Sequence, residues 1–187
     1  MEAMKKLMRS GNLYNETNEE VNMQRRDAKK LSYQYNQSCP TDVELRQAII
    51  HEMFGSVGSA YIEGPIQFSY GKHVFIGKSF YANFNLTLVD DAHIYIGNNV
   101  MFGPNVVLST AGHPEDKVQR RSGLQYSKDI HIGDDVWLGS GVIVHPGVSI
   151  GSNTIIGSGS VVTKDMPKDS VCFGVPCRVE RKISDEQ

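Results

Sequence analysis

The hydrophobic and polar positions follow two patterns. In residues 1–58, apolar side chains return every three to four positions: Val21, Ala28, Leu31 and Tyr35 in one run, then Val43, Leu45, Ala48, Ile49 and Met53 in another. That spacing lays apolar groups along one side of a helix. TNEE at residues 17–20 and TDVE at residues 41–44 both fit the capping box, in which a hydroxyl and a carboxylate three positions on satisfy the first free amides of a helix. Pro40 separates the two runs, and Gly55 and Gly58 close the second. The expectation is a helical hairpin packed on a larger domain.

From about Tyr61 the period becomes six. Ile132, Leu138, Val144, Ile150, Ile156 and Val162 stand at equal spacing, and glycine follows at Gly133, Gly139, Gly151 and Gly157. Four positions after each aliphatic comes a small or β-branched residue: Val136, Val142, Val148, Thr154 and Ser160. Asp134, Asp135, Ser152 and Asn153 lie between them and suit tight corners. Neither a helix nor a hairpin can hold such a period. A solenoid can: each hexad is one side of a coil, its aliphatic residue points inward, and stacked coils share one core. The register extends backwards through Ile76, Ala82, Leu88, Ile96, Phe102 and Leu108, with two departures. Two residues are inserted near Asp90 and Asp91, and an excursion over residues 109–129 leaves the coil in mid-repeat and returns in register.

Composition narrows this reading. The chain has 187 residues, 40% hydrophobic, enough for one domain with a small appendage. A formal charge of −2 argues against a broad nucleic-acid surface. No stretch has the length and apolarity of a membrane span, and the first residues lack the apolar region of a secretory signal. Three cysteines, Cys39, Cys172 and Cys177, with no CxxC, favour free thiols in a reducing cytoplasm over a Cys172–Cys177 disulfide.

The excursion contains Gly112-His113-Pro114. A histidine at the root of a long loop suits a general base, because imidazole titrates near neutral pH. On the residues alone, His113 is equally a surface histidine, as are His51, His73, His93, His131 and His145.

FSYG at 68–71, YANFNLT at 81–87, VDD at 89–91, AGHP at 111–114, IGDDVWLGS at 132–140 and GVPCRV at 174–179 form an ordered set. Together they resemble the hexapeptide-repeat acyltransferases, and within them the galactoside and maltose O-acetyltransferases. The resemblance implies a mostly β fold, a left-handed parallel β-helix, although the general rule for parallel crossovers favours the right hand. Its expected parts are a helical segment at 1–58, the β-helix at 59–167 with its protruding loop, and a C-terminal tail at 168–187.

The implied reaction moves the acetyl group of acetyl-CoA to a sugar hydroxyl by direct attack, with His113 as general base and no acyl-enzyme. By the same resemblance, Ser69, Asp91 and Asn83 face the sugar, and Asn83, Ser140, Ser158, Thr163, Lys164, Arg178 and Arg181 hold coenzyme A. Glu16 stands where the family carries an aspartate and is one methylene longer. Read without the resemblance, Asn83 and Asp91 are corner residues, and Lys164, Arg178 and Arg181 a solvated charged tail. Trp137 is either packing or a wall of the donor groove. The family also implies a homotrimer with sites between subunits, the excursion reaching across, and no metal. Three other readings compete: a zinc hydratase on the same fold, using histidines such as His93, His113 and His131; a non-enzymatic scaffold; and an acetyltransferase of an antibiotic or serine.

Overall fold

The computed structural model describes residues 2–15 and 19–183. The six-residue period builds a parallel β-helix with three flat faces. Face I contains Ser56–Val57, Val74–Ile76, Ile94–Ile96, Ile130–Ile132 and Ser149–Ile150. Face II contains Ala60–Ile62, Phe80–Ala82, Met101–Phe102, Trp137–Leu138, Thr154–Ile156 and Ser170–Gly174. Face III contains Ile66–Phe68, Leu86–Val89, Val107–Ser109, Ile143–Val144 and Val161–Val162. The chain visits I, II and III in turn, so every strand pairs in parallel with the strand one coil on. Within a strand the side chains alternate: Ile94 and Ile96 are buried while Tyr95 between them turns outward.

The repeat's glycines and corner residues have separate reasons. Adjacent coils approach so closely that a Cβ on Gly97 would lie 2.7 Å from the backbone carbon of Gly133, and one on Gly139 would lie 2.7 Å from the Ser158 nitrogen. Of the four corner residues singled out, Asp135 (φ 57°) and Asn153 (φ 55°) take the left-handed conformation. Asp134 and Ser152 instead tie coils together: Asn98 N–H donates to Asp134 Oδ1 at 2.6 Å, and Asp134 N–H to Ser152 Oγ at 3.1 Å.

Coil length varies, and at one corner. Tyr61 pairs with Tyr81 and Tyr81 with Met101, 20 residues per coil, whereas Trp137 pairs with Ile155, 18 residues on. The additional residues fall where face III turns into face I, at Ser69–His73 and Val89–His93. The excursion departs from the same corner of the next coil.

Both ends of a solenoid expose unpaired strand edges. Helices α1 (Glu2–Met8), α2 (Glu19–Gln37) and α3 (Val43–Met53) form the N-terminal segment, and α2 and α3 close the first coil. Ser32 Oγ and Asn36 Nδ2 donate to the Ile66 carbonyl, Tyr35 Oη and Arg46 Nη2 to that of Ile62, and Gln47 Nε2 to that of Ala60. At the far end, Cys177–Lys182 folds back antiparallel on Ser170–Gly174. The parallel sheets begin at Ser56, inside the segment expected to be helical, and face II continues to Gly174.

Two helical expectations need correction. The N-cap of α3 is Asp42, whose carboxylate accepts from Leu45 N–H, rather than Thr41. Val43 and Leu45 are exposed, and the buried side of α3 is Arg46, Ile49, Ile50 and Met53. Arg46 is inside because the coil end offers it the Ile62 carbonyl, the Ser38 and Tyr35 hydroxyls accept from it, and the Tyr35 ring lies 4.1 Å beneath its guanidinium. The box at 17–20 falls partly outside the described residues. No described helix is long and apolar enough to cross a membrane.

Candidate active site

The lengthened corner between faces III and I gathers the polar chemistry. Asp90 is fully buried there; its Oδ1 accepts from Ser69 N–H at 2.8 Å and Tyr70 N–H at 2.9 Å. Among the described residues its Oδ2 has no hydrogen-bond partner. Burial pushes the carboxyl up to about 7, against the lowering effect of the backbone donors. The Asp90 carbonyl accepts from His73 Nδ1 at 2.8 Å, and the His73 ring stacks on Tyr70. This pinning holds the half-buried Ser69 beside Asp91, which is also buried.

The excursion starts from the same place. Thr110 Oγ1 donates to the Val89 carbonyl at 2.8 Å and accepts from Ala92 N–H at 2.9 Å. Ala111–Gly112 then runs out, a short helix α4 (Lys117–Arg121) with Asp116 as its N-cap forms the tip, and Leu124–Ser127 returns antiparallel to it. A Cβ on Gly112 would lie 2.5 Å from the Tyr126 hydroxyl, so any larger residue there would have to displace the Tyr126 side chain. His113 follows, exposed, with Nδ1 3.1 Å from the Leu124 carbonyl. A carbonyl only accepts, so Nδ1 is the donor in this contact.

A third strand completes the excursion. Tyr14–Asn15, from the N-terminal segment, pairs antiparallel with Leu124–Ser127. Ser127 Oγ donates to the Met8 carbonyl, so the Tyr14 hydroxyl donates to Ser127 Oγ at 3.0 Å and accepts from Gln125 Nε2 at 2.7 Å. Gln125 Nε2 also donates to Asp91 Oδ1 at 3.1 Å. Adjacent residues of one strand thus hold the two candidate groups: Leu124 orients His113, and Gln125 binds Asp91. At the rim, Arg9 grips Asp129 at 2.8 Å, and Asp129 accepts from His93 N–H. Burial alone would raise the Asp129 carboxyl, but these donors hold it below its ordinary value.

The residues expected to hold coenzyme A lie elsewhere. Asn83, Ser140 and Ser158 line the corner between faces II and III on different coils, and Asn83 Oδ1 accepts from its neighbour Phe84 N–H at 2.8 Å. Thr163 and Lys164 are exposed where face III ends, and Arg178 and Arg181 project from the C-terminal hairpin. Trp137 is half exposed on face II, between Met101 and Ile155 in the outward ladder. Within one chain the whole of face III separates Asn83, Ser140 and Ser158 from Ser69, Asp91 and the excursion. Glu16 lies outside the described residues.

The sequence assigned no role to Asp90, Gln125 or Tyr14. Asp90 had a signal, since it sits at the two-residue insertion. Gln125 had none. The three histidines considered for zinc do not converge: His93 Nδ1 pairs with Tyr95 Oη, the His131 ring stacks on Tyr95, and His113 leaves with the excursion. Among the described residues no group of three or more His, Cys, Asp or Glu could hold a metal ion.

Comparison with known proteins agrees with this architecture. Residues 7–58 match the maltose acetyltransferase hexapeptide capping motif, and residues 129–164 match six repeats of the bacterial transferase hexapeptide. The galactoside O-acetyltransferase of Escherichia coli (strain K12) is 49% identical over 183 residues, which cover 97% of this chain and 90% of that protein. This chain belongs to the galactoside and maltose O-acetyltransferase family. A galactoside acetyltransferase solved in complex with coenzyme A superposes with a TM-score of 0.95 at 49% identity, over 97% of this chain and 92% of that one. A hexapeptide-repeat acetyltransferase from Vibrio cholerae O1 biovar eltor, solved with acetyl coenzyme A, gives a TM-score of 0.90 at 32% identity, over 97% and 99% of the two chains. The family's capping motif corresponds to the helices that satisfy the first coil's carbonyls, and its repeats to the coils themselves.

Proposed function

We propose that this family member moves the acetyl group of acetyl-CoA to a hydroxyl of a galactoside, glucoside or maltose-like sugar. The observation that carries the reading is His113, whose Nδ1 proton is committed to the Leu124 carbonyl and whose Nε2 is left as a base. A sugar hydroxyl is a weak nucleophile at neutral pH. Nε2 takes its proton as the oxygen bonds to the thioester carbon, and the same proton then passes to the departing coenzyme A thiolate. Positioned general-base catalysis of this kind is worth about 10²–10⁴-fold. Ser69 and Asp91 supply hydrogen-bonding groups for the sugar, joined by Glu16, and Asn83 stands between donor and acceptor. Ser140, Ser158, Thr163, Lys164, Arg178 and Arg181 hold coenzyme A, the cations facing its phosphates.

A reaction that needs both residue sets draws them from two copies, because face III lies between them in one chain. A homotrimer with three sites between subunits meets that need, and the solvent-turned ladder of Tyr61, Tyr81, Met101 and Trp137 offers an apolar surface for it. Three unpaired cysteines suit a cytoplasmic location.

The test is thiol release from acetyl-CoA with galactosides, glucosides, maltose, chloramphenicol and serine, in the wild type and in His113→Ala. The expected result is release with a sugar that falls about 10²–10⁴-fold in the variant with an unchanged melting temperature. Release with chloramphenicol or serine alone would move the acceptor to another class. Near wild-type turnover by His113→Ala would remove it as the base.

A further inference from the structure

We infer that Gln125 is a positioning residue for the acceptor: it fixes the carboxylate of Asp91 and thereby sets acceptor affinity. The inference rests on the reading of Asp91 as a sugar ligand and adds a residue from the excursion to it. Its amide nitrogen donates to Asp91 Oδ1 at 3.1 Å and to the Tyr14 hydroxyl at 2.7 Å. That hydroxyl accepts from Gln125 and passes its own proton to Ser127 Oγ, whose proton goes in turn to the Met8 carbonyl. Both contacts place the nitrogen, rather than the oxygen, of the amide toward Asp91. Gln125 and Tyr14 are both buried, so water does not compete for these bonds.

The consequence is mechanical. Asp91 sits buried at the coil corner, where the backbone is set by the lengthened repeat. Gln125 arrives from a strand that belongs to the excursion, and it donates to one carboxylate oxygen. A ligand hydroxyl that binds Asp91 then meets a carboxylate already oriented, which lowers the ordering cost of binding. Because the neighbouring Leu124 carbonyl holds His113, the same short strand sets the distance between the acceptor ligand and the base.

The experiment compares wild type, Gln125→Met and Tyr14→Phe in steady-state thiol release, with acceptor and acetyl-CoA varied separately. Methionine keeps the length and removes the donors; phenylalanine keeps the ring and removes one of the amide's acceptors. A hydrogen bond to a charged group is worth enough to predict an acceptor KM about tenfold higher in Gln125→Met. Tyr14→Phe should raise it about threefold on the same basis. The KM for acetyl-CoA and the melting temperature should stay close to wild type. Unchanged acceptor KM in both variants would overturn the inference. So would equal rises in both KM values with a lowered melting temperature, which would make Gln125 a purely structural residue. If Gln125→Met does not fold, Tyr14→Phe decides by the same criteria. A wild type that transfers to no sugar would instead overturn the acceptor reading itself, and this inference with it.

Discussion

The coil and the clasp that holds the excursion are built by opposite means. In the coil each strand pairs with another 16 to 20 residues away, apart from one pairing on each face that spans the excursion at 36 residues, and the same contact is repeated face by face. In the clasp, Tyr14 pairs with Gln125, and three side chains with no repeat hand protons from one to the next. Repetition makes the coil redundant, since each aliphatic has neighbours above and below. The clasp has one copy of every contact. A protein arranged this way can lose much stability in the coil without altering its chemistry, and can lose chemistry in the clasp at little cost in stability.

The largest separation should come from Ile150→Ala. Ile150 is buried on face I between Ile132 and Met166, one coil beyond the strand to which the excursion returns. The cavity should cost about 2–5 kcal/mol in chemical denaturation, while thiol release per folded molecule stays at the wild-type level. Activity lost in proportion to stability would show that coil and clasp are one mechanical unit.

Asp90 stands where the two regions meet and carries a smaller, pH-dependent effect. Its carboxyl titrates at about 7 in the folded chain, above the ordinary carboxylate range of the unfolded one. Between those values the folded state holds a proton that the unfolded state has released. Stability therefore falls as pH rises toward 7, and the cost is fully present above it. Asparagine cannot ionise. Asp90→Asn should gain on wild type by a few degrees in melting temperature between about pH 5 and pH 8. A difference that stays constant across that range would remove Asp90 as the titrating group.

Arg9→Ala should show the smallest effect. The Arg9–Asp129 pair is short but partly exposed, so its loss should cost about 1 kcal/mol or less. The difference from wild type should shrink in about 0.5 M salt. A larger, salt-independent loss would mean that the rim of the clasp is as tightly built as the coil.

The legibility of the molecule divides along the same line. Six aliphatics at equal spacing announce the coil, because each must reach a shared core and only one backbone path returns them there. The insertion at Asp90 and the excursion were visible as breaks in that count. Arg46 was not legible, since its burial depends on the Ile62 carbonyl offered by the coil end 16 residues on. Gln125 was not legible either: nothing in LQYS at 124–127 distinguishes a glutamine turned to Asp91 from one turned to water.

By itself, the sequence determined the period, the inward and outward alternation, the placing of close-approach glycines and left-handed corners, and the point at which the chain leaves its coil. These follow from local rules: backbone geometry acts between neighbours, and a repeat multiplies its signal. Tertiary structure alone decided that the N-terminal strand clasps the excursion and that face III divides the two residue sets. It also decided that Nδ1 of His113 faces the Leu124 carbonyl. The clasp joins Tyr14 to Gln125, 111 residues on, and His113 meets Leu124 across the turn of the excursion; each contact is made once and leaves no period to read.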